Sequence, residues 1–144
     1  MMQVVLTILL LFYFFLAALI DVRQGELSLW FLLAGFLSGL TLQLLFCRCP
    51  VSELVLSWIP GGILFLISGL SRQAIGFGDS ALLLGAGCFL LLPRTLLLLV
   101  LSFLAAGGTS VLLVVLKKKK RSDDLPFAPF YLAGYVILLA VSGL

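Results

Sequence analysis

TLLLLVLSFLAAGGTSVLLVVL, residues 95–116, carries no charge along its whole length and stops against KKKKR at 117–121. A helix rising about 1.5 Å per residue needs roughly 20 such residues to cross a hydrocarbon core about 30 Å thick. The stretch therefore reads as a membrane-spanning helix, and the basic run beside it as a topology signal. Outward from it, similar apolar runs occur near 3–20, 28–46, 51–70, 80–92 and 127–144. With 95–116 they predict six transmembrane helices. Strands of a barrel do not fit, because the Leu-rich runs show no two-residue alternation. The division between the fourth and fifth helices is placed at Pro93-Arg94, a helix-ending proline with a charge beside it.

Composition agrees. The chain is 63% hydrophobic and 10% charged, far from the roughly half-apolar, quarter-charged make-up of soluble domains. Six crossings use nearly all of the 144 residues, so a single transmembrane domain, 1–144, is expected. The net charge of +3 comes from Lys117, Lys118, Lys119, Lys120 and Arg121 beside an apolar segment. It points to anionic lipid and topology rather than to nucleic acid. Residues 1–20 lack a basic n-region and a small-residue cleavage site, so they read as a retained first helix. Three cysteines, no histidine and no CxxC leave no disulfide framework and no zinc site of ordinary spacing. No metal and no cofactor are expected.

Every Lys and Arg falls in a connecting loop. Loops one, three and five hold Arg23, Arg72 and the run 117–121, against Arg48 and Arg94 on the other side. Basic residues near span ends stay cytoplasmic, so the predicted architecture is an all-α, multi-pass protein of the cell membrane with both termini outside. That orientation brings the end of the first helix, at Asp21, and the start of the fourth, at Asp79, to the same cytoplasmic side.

An acid in the hydrocarbon costs about 2.5–3.5 kcal/mol and is read by default as functional. Asp21 and Asp79 are the acids placed closest to the apolar spans, whereas Glu26, Asp123 and Asp124 lie among polar loop residues. Glu53 opens the third helix, where its charge suits the dipole. Asp21 sits at a helix C-terminus, which disfavours a carboxylate, so something else has to explain it. Asp79 has a simpler explanation as an N-cap after glycines. A helix beginning only at Asp79, however, would be too short for the bilayer unless it starts earlier, near Ala74, or the protein is locally thin. Two close carboxylates in restricted water share a proton and titrate together. That pairing serves either general acid–base catalysis on a peptide bond or an ion or proton pathway.

Two further motifs narrow the choice. Ile75-Gly76-Phe77-Gly78-Asp79 places glycines three before and one before the acid, where they permit a tight turn and leave room for a substrate strand. Leu125-Pro126-Phe127-Ala128-Pro129-Phe130 opens the last helix from the same side, with prolines fixing its entry. Asp at the end of the first helix, GxGD before the fourth and PFxPF before the last, in this order, resemble the type IV prepilin peptidases and the related archaeal preflagellin peptidases. The resemblance covers roughly residues 10 to 140.

It implies a six-helix intramembrane aspartyl endopeptidase that removes the basic leader of pilin-like precursors at the cytoplasmic face. Asp21 and Asp79 match the two catalytic acids, Gly76 and Gly78 the motif glycines, and Pro126, Phe127 and Pro129 the third motif. Where the family often has Ile-Pro-Asn after the first Asp, this chain reads Leu27-Ser28-Leu29, and where it often has a Lys two residues after the second, Ala81 stands. Larger bacterial members carry an amino-terminal segment with paired CxxC motifs tied to methylation. Without that segment, a peptidase lacking methyltransferase activity is expected, like the forms serving flagellins or Flp-type pili. The competing readings are an inactive membrane scaffold derived from this family and a small proton or cation transporter subunit.

Overall fold

The computed structural model describes residues 1–47, 50–71, 76–116 and 126–143, and every regular element among them is helical. Seven α-helices follow the chain: α1 (Met2–Gln24), α2 (Leu29–Leu42) with a π-helical end at Gln43–Cys47, α3 (Val51–Ser57), α4 (Ile59–Leu70), α5 (Phe77–Phe89), α6 (Leu92–Val115) and α7 (Ala128–Ser142). Three stretches, Gln3–Gln24, Val51–Leu70 and Leu92–Val115, are long and apolar enough to cross a membrane. Leu29–Leu45, Phe77–Phe89 and Ala128–Ser142 are apolar but shorter. At 1.5 Å per residue, α5 is only about 20 Å long.

Two prolines set breaks that differ from the expected ones. The run 51–70 is interrupted at Trp58, between α3 and α4. Pro60 has no N–H to give to the carbonyl four residues back, so it occupies the first turn of a new helix instead. Pro93 does not end α5. That helix stops at Phe89, Leu91 is extended (φ −77°, ψ 163°), and Pro93 stands in the first turn of α6. A first-turn residue needs no N–H partner inside its helix. Arg94 therefore lies inside α6 rather than in a loop.

The helices pack through small residues, as helices in lipid do. A Cβ on Gly61 of α4 would lie 2.8 Å from the Leu84 backbone nitrogen in α5, and one on Gly134 of α7 would lie 2.5 Å from the Ser102 hydroxyl in α6. One core joins the bundle: Leu10, Phe14 and Ala17 of α1 meet Leu82, Leu83 and Ala86 of α5 and Ala128, Tyr131 and Tyr135 of α7. Aromatic stacking supports it, with Phe14 on Tyr131 at 6.0 Å and Tyr13 on Phe31 at 5.0 Å. The outward faces of α1, α4 and α6 are left apolar, with Ile8, Phe12, Leu66, Leu104 and Val115 all more than half exposed. In water such surface would drive aggregation, and a lipid surround removes that penalty. The run 117–121, expected to face anionic lipid, lies outside the described residues, as do Arg48, Arg72, Asp123 and Asp124.

Candidate functional site

Asp21 stands in the last turn of α1, whose end is closed by Gly25 in a left-handed conformation (φ 70°) donating its N–H to the Asp21 carbonyl at 2.8 Å. The side chain turns away from solvent and is 8% exposed. Its Oδ2 accepts the backbone N–H of Ala128 at 3.0 Å. Ala128 is the first residue of α7, with Phe127 as N-cap, so the carboxylate sits on the positive end of another helix. That contact answers why an acid tolerates the C-terminus of α1: the unfavourable end of its own helix is offset by the favourable end of α7. The sequence around Ala128 sharpens the point. Pro126 and Pro129 have no N–H, and Phe130 gives its own to the Phe127 carbonyl at 2.9 Å. Ala128 is fully buried, and without Asp21 its donor would have no water to turn to.

Asp79 is the third residue of α5, whose N-cap is Gly76 rather than Asp79 itself, and no side chain caps that end. The N-capping explanation therefore does not apply, although a carboxylate in the first turn still suits the dipole. The helix starts at Phe77, and residue 74, where an earlier start was considered, lies outside the described residues. The short α5 therefore leaves Asp79 near its end. Asp79 is half-buried and lies within electrostatic reach of Asp21. Asp21 at the end of α1 and Asp79 at the start of α5 are thus close enough to interact electrostatically.

The motif glycines act differently from the expected tight turn. Gly76 has φ −55° and ψ 128°, open to any residue, and among the described residues only Gly25 and Gly143 have positive φ. What Gly76 provides is room: a Cβ there would stand 2.7 Å from Asp79 Oδ2. Gly78 lies against Leu27, whose Cβ would be 3.2 Å from an added methyl. Leu27 belongs to the stretch where the family often carries Ile-Pro-Asn, so the chain closes over Gly78 with an apolar side chain.

The third motif is divided in role. Phe127 packs its ring edge-on to Tyr131 at 5.1 Å and tilted on Phe103 at 5.2 Å, tying α7 to α6. Pro126 and Pro129 are half-buried, and Pro129 falls in the first turn of α7. Two residues were not singled out from the sequence. One is Ala128, through its backbone N–H. The other is Tyr131, buried one turn further along α7 and within electrostatic reach of Asp79. The scarcity of N–H groups in Pro-Phe-Ala-Pro was a legible sign of the first, whereas nothing in the sequence distinguished Tyr131 from a core aromatic.

Neither acid lines either of two cavities in the bundle. One, about 530 Å³ and apolar, lies between α2, α4 and α5 and is lined by Trp30, Phe36, Phe65, Phe77 and Ala81. The other, about 650 Å³, lies at the opposite end of the bundle. Among the described residues no three His, Cys, Asp or Glu side chains come together, and no residue is assigned to a metal.

A family model of type IV leader peptidases matches residues 8–111. The chain belongs to the type IV leader peptidase family. Membership implies leader peptidase activity on type IV prepilins. The matched region of this leader peptidase holds Asp21, Gly76, Gly78 and Asp79, while Pro126, Phe127 and Pro129 lie beyond it. Comparisons with curated proteins and with solved structures return no match.

Proposed function

We propose that this leader peptidase is an aspartyl endopeptidase of the cell membrane, with six crossings and both termini outside. It removes the leader of pilin-like precursors, Flp-type prepilins or preflagellins, at the cytoplasmic face. The observation that supports the reading is the electrostatic interaction of Asp79, in the first turn of α5, with the buried Asp21, which caps the start of α7. A water between them is activated by whichever carboxylate is ionised, which takes its proton as the oxygen attacks the scissile carbonyl. The protonated partner hydrogen-bonds the carbonyl oxygen and then supplies the proton with which the amine leaves. Water is consumed, the pair again holds one proton, now on the carboxylate that acted as base, and the two carboxyl groups supply all the proton transfers.

A pilin precursor fits this placement. It is a single apolar helix with a basic leader on the cytoplasmic side, so its cleavage point lies at the membrane interface. The short α5 brings Asp79 towards that depth, and glycine at the cleavage point would ease the local unwinding that cleavage needs. The departures Leu27-Ser28-Leu29 and Ala81 bear on substrate preference and leave both acids in place. The decisive experiment co-expresses the chain with a pilin precursor from the same genome and follows leader removal, with Asp21→Asn and Asp79→Asn as controls. Loss of cleavage in each variant is expected. Leader removal that persists in either would refute the two-acid mechanism, and no cleavage of any precursor by the unaltered chain would favour an inactive scaffold.

A further inference from the structure

Tyr131 is a phenol at a position whose packing calls only for a ring. It is 1% exposed. Its ring stacks on Phe14 of α1 at 6.0 Å and stands edge-on to Phe127 at 5.1 Å, contacts that phenylalanine would also make. A buried hydroxyl without a partner is costly, and buried tyrosines ordinarily find one for theirs. Tyr135, four residues on, does so by donating to the Thr7 carbonyl at 3.4 Å. Among the described residues no hydrogen bond engages the Tyr131 hydroxyl.

The fold decides where that hydroxyl is carried. α1 and α7 run antiparallel, since Asp21 meets Ala128, Phe14 meets Tyr131 and Thr7 meets Tyr135. Tyr131 lies three residues after Ala128, on the same face of α7. Long helical side chains lean towards the N-terminus, over the turn before their own Cα. The contact with Phe127, the N-cap of α7, shows that Tyr131 does so. The phenol thus points towards the end of α7 on which Asp21 is seated. From α5, Asp79 lies within electrostatic reach of it. Reach without a direct bond is the setting in which a water joins two polar groups. A buried water takes about three partners, and two carboxyl groups leave one to be supplied.

We propose, on the two-acid reading of the site, that Tyr131 is a third catalytic residue: its hydroxyl hydrogen-bonds the water that Asp21 and Asp79 activate and holds it for attack. Tyr131 keeps its own proton. The water gives one proton to the ionised carboxyl, and its oxygen forms the new bond to the scissile carbon. The test uses the full chain in proteoliposomes with a purified pilin precursor. Tyr131→Phe keeps the ring and removes only the hydroxyl. It should lower kcat for leader removal about 10- to 100-fold while KM and the unfolding midpoint stay unchanged. Tyr135→Phe, which removes the other phenol hydroxyl of α7, should leave kcat unchanged. A second arm needs no activity. The infrared band of the protonated carboxyl that Asp79→Asn removes should shift in Tyr131→Phe, because the hydrogen bonding around the pair changes, and stay in place in Tyr135→Phe. Full kcat in Tyr131→Phe, a rise in KM alone, a lowered unfolding midpoint or an unmoved band would overturn the proposal. Cleavage by Asp79→Asn would refute the two-acid reading itself, and this role with it. If the unaltered chain cleaves no precursor, the infrared band decides.

Discussion

Asp21 carries two burdens that substitution can separate. Its Oδ2 accepts the buried Ala128 N–H at 3.0 Å, and it lies within electrostatic reach of Asp79. Asp21→Ala removes the acceptor and leaves a buried donor unpaired, a loss of about 1–3 kcal/mol. A midpoint near 2 kcal/mol is about a thirtyfold fall in the folded-to-unfolded ratio. Asp21→Asn keeps an oxygen of the same reach on Ala128 and gives up only the charge at the α7 terminus, about 0.3–1 kcal/mol. For cleavage the two substitutions are alike, since neither amide nor methyl can exchange the proton, and each should lower the rate by about 10²–10⁴. Equilibrium unfolding in detergent, alongside leader removal from a co-reconstituted precursor, reads both quantities. Asparagine should be inactive and nearly as stable as the unaltered chain, alanine inactive and destabilised. Equal destabilisation by both would show that charge rather than the hydrogen bond holds α7. Full stability of the alanine variant would show that Ala128 finds its partner elsewhere.

Gly76→Ala sets a methyl 2.7 Å from Asp79 Oδ2, and the carboxylate, at the free end of its side chain, is what moves. Cleavage should fall by about a hundredfold while unfolding changes by under about 1 kcal/mol, measured as for Asp21. Gly61→Val meets backbone instead, 2.8 Å away at Leu84, and should cost about 1–3 kcal/mol in the same unfolding assay. Leader removal should persist in the presence of metal chelators and of serine- and cysteine-directed reagents. Inhibition by a chelator would contradict the metal-free mechanism. A reporter inserted at 117–121 should be accessible only from the cytoplasm, and labelling from outside would reverse the proposed placement of both acids.

The helical segments were legible because hydrophobicity over about 20 residues is a sum that single residues barely disturb. The breaks were less so, since each rests on one proline. Pro93 gave a correct neighbourhood and a wrong side: the same missing N–H that ends one helix suits the first turn of the next. Sequence could not choose because the deciding fact is the extended Leu91, not the proline. Pro60 lay hidden in an apolar run of full length, and its break shows only once Trp58 is placed.

For the site, order along the chain and alternation of helix direction were the grounds for expecting Asp21 and Asp79 at one end. They could not supply the contact that makes Asp21 tolerable, because its partner is a backbone N–H 107 residues away. The glycines illustrate the same limit, having been read for a tight turn and for room for a substrate strand, whereas the space they leave adjoins Asp79 and Leu27. The structure joins these observations into one dependence. Pro126 and Pro129 remove donors from the start of α7 and leave Ala128 as the buried one, Asp21 takes it, and the α7 terminus is thereby held against an acid within electrostatic reach of Asp79. Whatever shifts α7 along α1 must break that bond, and breaking it would change the electrostatic setting of Asp21.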